Sequence, residues 1–188
     1  MKRLLKGAAA LGLMATLAAP AAHAQTSIKV GIGGGVSIPT GSPLKDDVKT
    51  GWNGTANLQF KPAGSPLGFQ VDGMYQQMKA KTAPLTPNLD KDEIWSGTGD
   101  VVFWFPVASE TKIHPYLLGG GGVYNIKAKP TTGTSVSSTK FGINVGAGFD
   151  FDIQDKIGIF VEGRFHNVFV TGSDAKFIPI SAGIRFGV

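Results

Sequence analysis

Several ionisable side chains fall at alternate positions of the chain, where a β-strand would turn them all to one face. Glu162 and His166 lie four residues apart, and Ser37 or Ser181 could come near them in the folded chain. A serine, a histidine and an acid together can catalyse acyl transfer and hydrolysis. A histidine on an inward face is more often a hydrogen-bonded packing residue, because polar groups taken out of water require partners. We therefore expect a structural polar network and assign no catalytic residues.

The members of this predicted polar network share the polar face of the predicted strands. They are Lys29, Asp72, Asp100, Asp150, Glu162, Arg164, His166 and Arg185. Glu162 and Arg164 come from one strand and Arg185 from the next, so ion pairs between these neighbouring strands are predicted. An interior filled in this way would not pass solutes larger than water or small ions.

No motif in the sequence predicts a metal ion or a cofactor. Asp46-Asp47 and the acidic residues within 90–93 lack the spacing of a calcium-binding loop. The glycine runs Gly31–Gly35 and Gly119–Gly122 lack the helix and the Lys-Ser/Thr pair of a phosphate-binding loop. The chain has no cysteine, which excludes disulfides and thiolate metal ligands.

Residues 1–24 have the composition of a cleaved secretory signal peptide. Lys2, Arg3 and Lys6 precede an apolar stretch, and Ala22-His23-Ala24 forms a small-residue cleavage site. Residues 25–188 would then form the mature domain. Without the three leader cations, 15 basic residues remain against 13 acidic ones. This balance gives no support to a nucleic-acid partner.

Alternation of apolar and polar residues predicts an all-β domain of eight strands. The clearest strand is Thr139–Ile153, where seven successive alternations exclude an amphipathic helix. The predicted strands are Ser27–Pro39, Trp52–Lys61, Leu67–Lys79, Glu93–Pro106, Ile113–Lys127, Thr139–Ile153, Ile157–Thr171 and Phe177–Val188. The connections between them alternate between longer and shorter segments, which is typical of an up-and-down barrel with loops at one end and turns at the other.

Two features place the apolar faces of these strands on the outside, against lipid. Together the faces carry more apolar side chains than an eight-stranded interior can hold. Their aromatic residues also gather toward both strand ends, as in the interfacial belts of membrane barrels. In the fifth strand this interpretation assigns Tyr116, Leu118, Tyr124 and Ile126 to the outer face. The predicted fold is an eight-stranded antiparallel up-and-down transmembrane β-barrel.

The final segment, FIPISAGIRFGV, contains Ser181, Gly183, Phe186 and Val188 at positions that resemble the C-terminal assembly signal of bacterial outer-membrane barrels. The usual last residue of that signal is Phe. With HPYLLGGGGVYN, STKFGINVGAGFDFDI and FVEGRFHNV, the segment makes residues 27–188 resemble the small eight-stranded barrels of the OmpA, OmpX and OmpW type. The resemblance implies a location in the bacterial outer membrane. It implies outer-membrane lipids, lipopolysaccharide, the barrel-assembly machinery and periplasmic chaperones as partners, and leaves the oligomeric state open.

Three functions are compatible with this resemblance. The first, which we favour, is a structural or surface-interaction role for a barrel with a filled lumen and extracellular loops. The second is a narrow channel for small solutes, as OmpW-like barrels suggest. The third is a lipid-modifying enzyme, since some eight-stranded barrels of this membrane transfer or remove acyl chains. No motif of those enzymes is visible in the sequence, and we expect the chain not to be an enzyme.

Overall fold

The computed structural model describes residues 26–42, 44–79, 81, 89–108, 110–130 and 136–188. The predicted signal peptide, residues 1–24, lies outside this part of the chain. The strands are β1 (Ser27–Thr40), β2 (Gly51–Lys61), β3 (Leu67–Lys79), β4 (Leu89–Trp104), β5 (Ile113–Pro130), β6 (Val136–Gln154), β7 (Ile157–Val168) and β8 (Ala175–Gly187). A single helical turn, α1 (Leu44–Asp47), lies between β1 and β2.

The eight strands form one closed barrel in which each strand pairs antiparallel with the next. The barrel closes where β1 pairs with β8, over a register that runs from Lys29 opposite Gly187 to Thr40 opposite Lys176. Closure leaves no strand edge without a backbone partner, which is what a sheet in lipid requires. The predicted eight-stranded antiparallel up-and-down barrel is therefore confirmed.

The chain connections divide the barrel into two ends. The loop end carries the connections β1–β2, β3–β4, β5–β6 and β7–β8. The turn end carries the other three connections and both termini of the barrel domain. In the described part of the chain, no helix has the length and apolar character needed to cross a membrane.

Three strands extend three or four residues further into the loop end than the sequence predicted. β4 begins at Leu89 rather than Glu93, β5 continues to Pro130 rather than Lys127, and β6 begins at Val136 rather than Thr139. The predicted loops 80–92 and 128–138 were therefore too long. The apolar alternation does not reach these strand ends, although backbone pairing between β4, β5 and β6 continues into them. At the start of β6, residues 137–139 are exposed at successive positions, so neither face there requires apolar side chains.

The strands present an apolar outer face and a polar inner face. Outside, Ile32 is 58% exposed and Phe69 is 60% exposed, whereas the inward Ser37 and Gln70 are fully buried. At the loop end the outward ring of Tyr75 lies 5.3 Å from that of Trp52 and 4.6 Å from that of Trp95. Such a row of aromatic rings is typical of a membrane interface.

The predicted orientation of the fifth strand was wrong. Tyr116, Leu118 and Tyr124 are buried inside the barrel, Ile126 packs against an interior cluster, and Leu117 and Val123 face outward instead. β5 has apolar residues at both even-numbered and odd-numbered positions, which we call the two parities of the strand, as in Tyr116-Leu117-Leu118. Its alternation therefore does not show which face is apolar.

The neighbouring strand β6 explains which parity of β5 turns inward. A Cβ atom added at Gly148 would overlap the ring of Tyr116, and one added at Gly142 would lie 2.8 Å from the ring of Tyr124. The two glycines thus leave the volume that the two tyrosine rings fill. Side-chain volume across the lumen, rather than alternation along β5, determines the orientation of this strand.

Candidate functional site: the barrel lumen

One buried arginine organises the middle of the lumen. Arg164 is 2% exposed, and it meets carboxylates from three strands. Its Nη2 lies 2.8 Å from Asp72 Oδ1, its Nη1 lies 3.0 Å from Asp100 Oδ2, and its Nε donates to Glu162 Oε1 at 2.6 Å. Charges buried in this way are tolerated only when paired and hydrogen-bonded.

A second buried arginine adjoins the first and shares one of its carboxylates. Arg185 Nη1 donates to Asp150 Oδ1, and its Nη2 lies 3.6 Å from Glu162 Oε2. The Arg185 guanidinium also lies 4.4 Å from the centre of the Phe160 ring. Tyr116 donates from its hydroxyl to Glu162 Oε2 at 2.8 Å. Glu162 therefore links the two arginines into one network across the barrel.

Neutral side chains complete the central network. Asn144 donates to Asp100 Oδ1 at 2.7 Å, Thr98 donates to Asp100 Oδ2 at 3.1 Å, and Gln70 donates to both carboxylate oxygens of Asp72. Gln70, Thr98 and Asn144 lie on the polar parity of their strands, so alternation could have identified them. Tyr116 could not be found in this way, because the alternation of β5 is ambiguous.

His166 lies apart from Glu162, with which the sequence had grouped it. Tyr124 Oη and His166 Nδ1 are 2.7 Å apart, and the imidazole stacks on Phe177 with ring centres 5.0 Å apart. His166 Nε2 has no hydrogen-bond partner among the described residues. His166 thus belongs to the packing near the loop end and not to the arginine network.

The two candidate serines have partners of their own. Ser181 donates to Asn53 Oδ1 at 2.7 Å, and Ser37 donates to Gln76 Oε1 at 2.8 Å. Neither bond involves His166. The serines, the histidine and the acid that the sequence grouped have separate partners and do not form a catalytic triad with one another.

An apolar cluster closes the lumen at the loop end. Its fully or nearly fully buried members are Val48, Met78, Ile94, Tyr124, Val168 and Phe177. Val48 directly follows α1, and Leu44 of α1 packs against the same cluster. The β1–β2 connection therefore folds over the barrel opening and supplies part of its lid. We call this cluster the loop-end cap.

Lys29 lies at the opposite end of the lumen from the loop-end cap. Its Nζ lies 3.4 Å from Asp152 Oδ1, and His114 Nε2 lies 2.8 Å from Asp152 Oδ2. The Lys29 side chain is 30% exposed and that of Asp152 is 43% exposed. The structure thus places Lys29 at the turn-end opening, outside the central network.

The residues of the predicted assembly signal lie on β8 and just beyond it. Ser181 is buried in the lumen and Gly183 also has the inward parity, whereas Phe186 and Val188 are 43% and 81% exposed on the outer side. The Val188 amide donates to the Ile28 carbonyl at 2.9 Å, next to the seam between β1 and β8. Recognition of this segment by an assembly machine stays a prediction.

The described residues contain no group of three or more His, Cys, Asp or Glu side chains placed to hold a metal ion. The polar contacts described in the lumen are ion pairs and hydrogen bonds. Its layers, from the loop end to the turn end, are an apolar cap, a buried charged network and a half-exposed polar opening.

Comparisons with known proteins agree with this architecture. The model of the outer membrane protein beta-barrel domain family matches residues 8–186. The comparison with curated proteins found no similar sequence.

Among solved structures, Neisserial surface protein A is 17% identical with a TM-score of 0.67, covering 86% of this chain and 97% of that one. A major outer membrane protein from Thermus thermophilus is 10% identical with a TM-score of 0.60, covering 87% of this chain and all (100%) of that one. The N-terminal β-barrel domain of Pseudomonas aeruginosa OprF is 11% identical with a TM-score of 0.56, covering 88% and 100%. At these identities the structures establish a shared fold, whereas the family model spans almost the whole chain. The chain belongs to the outer membrane protein β-barrel domain family.

Proposed function

We propose that this outer-membrane barrel acts as a structural or surface-interaction protein whose lumen does not conduct solutes. Its contacts with other molecules would then involve the outer wall and the loop end. The observation that carries the proposal is the closed lumen, with paired buried charges in the middle and the loop-end cap above them.

The energetics of the central network argue against a transport route. A solute crossing the lumen would have to separate Arg164 from carboxylates on three strands. Leaving a buried charge without its partner costs about 3–5 kcal/mol in typical proteins. A solute would also have to displace the loop-end cap, which includes the fully buried Met78. Both barriers favour a static barrel over a channel.

The apolar outer wall is the observation that supports lipids as direct partners of the barrel. Its exposed side chains are apolar over the membrane-facing part of the strands, and the Trp52, Tyr75 and Trp95 rings form a row toward the loop end. Aromatic side chains favour the boundary between hydrocarbon and water. We extend the proposal to lipopolysaccharide at this boundary, and to the barrel-assembly machinery and periplasmic chaperones during insertion.

Conductance in planar lipid bilayers tests the closed lumen. The refolded chain, checked by its mobility in unheated and heated SDS gels, is expected to give no stepwise current in potassium chloride. A barrel that is folded by this criterion and gives reproducible conductance steps would refute the closed lumen and favour the narrow channel.

Lipid analysis tests the enzymatic alternative separately. Glu162 and His166 have different partners in the described part of the chain, which counts against a lipid-modifying site. Mass spectrometry of lipid A from cells with and without the protein is expected to give the same acylation pattern. A gain or loss of one acyl chain that depends on the protein would assign an enzymatic role instead.

A further inference from the structure

The turn-end opening of the barrel contains a pocket of about 390 Å³ that the proposed function does not use. Inward side chains of β1, β2, β4, β5 and β6 and the turn between β2 and β3 surround it. The pocket is lined by Ser27, Lys29, Gln59, Lys61, Trp104 and His114, among others. Gln59 and Trp104 are buried and form its inner wall, whereas Lys29, Lys61 and His114 are partly exposed near its opening.

Not every charged side chain in the pocket has a direct ion-pair partner. The carboxylate of Asp150 pairs with Arg185, and that of Asp152 contacts both Lys29 and His114. Lys61 is the remaining cation of the lining. In the described part of the chain no carboxylate forms a direct salt bridge with it, and Asp150 and Asp152 attract it only from a longer distance. The pocket therefore offers a cation to a ligand, while the two acids that would repel an anion already have partners.

Trp104 gives the pocket a second, apolar feature beside this cation. Lys61 Nζ lies over the Trp104 ring, 5.1 Å from its centre. Pro62 and Ala63 of the β2–β3 turn add apolar surface to the same lining. An ammonium group next to an indole and small apolar side chains suits a ligand that has an anionic group on an apolar or aromatic body.

We propose that the turn-end pocket binds small amphipathic anions. The anionic group, a carboxylate or a phosphate, pairs with Lys61, and the apolar part lies against Trp104. The site is independent of the loop end and does not require an open lumen, because the arginine network bounds its inner side through Asp150, which lines the pocket and pairs with Arg185. In the orientation implied by family resemblance, the pocket opens to the periplasm.

Tryptophan fluorescence can test this site directly. The chain has three tryptophans, so the combined substitutions Trp52→Phe and Trp95→Phe leave Trp104 as the only one. Benzoate is expected to change the Trp104 emission saturably in detergent micelles, and benzamide, its neutral isostere, is expected to bind at least about tenfold more weakly. Phenyl phosphate, compared with benzoate, distinguishes a phosphate ligand from a carboxylate ligand.

A matched pair of lysine variants tests whether Lys61 contributes to benzoate binding. Lys61→Gln is expected to weaken benzoate binding about tenfold, the size typical of a lost charge-assisted hydrogen bond. Lys156→Gln removes a lysine from the β6–β7 turn, at the same end of the barrel but outside the pocket, and should leave binding unchanged. Added sodium chloride should weaken binding in the parent chain, because it screens the exposed ion pair.

Two results would overturn the proposal. One is equal binding of benzoate and benzamide, and the other is equal benzoate affinity of the Lys61→Gln and Lys156→Gln variants. If the tryptophan substitutions impair folding, line broadening of the ¹⁹F resonance of 4-fluorobenzoate measures the same comparison with all three tryptophans present. Absence of broadening with the folded parent chain would equally refute the site.

Discussion

Replacing Arg164 by Met isolates the contribution of the central ion network to stability. Methionine keeps an unbranched apolar stem and removes the guanidinium group. The change leaves Asp72, Asp100 and Glu162 facing one another around an apolar side chain. These three acids belong to β3, β4 and β7, so the perturbation affects contacts across the barrel and not within one hairpin.

The expected loss is large because the site is buried. Arg164 is 2% exposed, and removing one partner of a buried ion pair typically costs about 3–5 kcal/mol. Lys29→Met provides the matched control, since it also removes a cation from an ion pair with an aspartate. Lys29 and Asp152 are 30% and 43% exposed, so this control should cost less than about 1 kcal/mol.

Urea unfolding of the barrel in lipid vesicles, followed by tryptophan fluorescence, measures both free energies of unfolding. Adding Asp100→Asn to the Arg164→Met variant should recover part of the loss, because it removes one of the uncompensated carboxylates. Equal stabilities of Arg164→Met and Lys29→Met would refute the reasoning. So would an Asp100→Asn change that destabilises the Arg164→Met variant further.

Two further predictions concern packing and assembly. Gly148→Ala should cost about 1–3 kcal/mol in the same unfolding assay, because the added Cβ would overlap the Tyr116 ring. Gly99→Ala is the control and should be neutral or stabilising, because no heavy atom lies within 4 Å of its added Cβ. Equal losses of stability in the two variants would contradict the packing of β5. Phe186→Ala should lower the heat-modifiable fraction of the protein in the outer membrane more than Ile180→Ala does, because only Phe186 belongs to the predicted assembly signal. The two side chains are matched in exposure, since both are 43% exposed on β8. Equal assembly of the two variants would contradict a role of Phe186 in the assembly signal.

The lumen residues show what the alternation of apolar and polar residues along the chain can predict and what it cannot. Asp72, Asp100, Glu162, Arg164 and Arg185 all have the inward parity that the sequence predicted. Parity determines the face of a residue but not its partner. That Arg164 meets acids from three strands depends on how the barrel brings distant strands to the same height.

Lys29 and His166 show the same limit of sequence information. Both have the inward parity, yet Lys29 lies at the turn-end opening and His166 packs near the loop-end cap. Position along the barrel axis follows from strand register, which alternation does not specify. The loop-end cap was also missed, because Val48 lies in a connection without a periodic pattern.

The sequence by itself determined the number of strands, their antiparallel order and the face of most residues, because a strand in a membrane must alternate between lipid and lumen. Only the tertiary structure decided the orientation of β5, the partners of the buried arginines, the closed loop end and the open turn-end pocket. The physical reason is that these features depend on volume and charge across the lumen. Gly148 makes room for Tyr116, and three carboxylates surround Arg164, only once the barrel has closed.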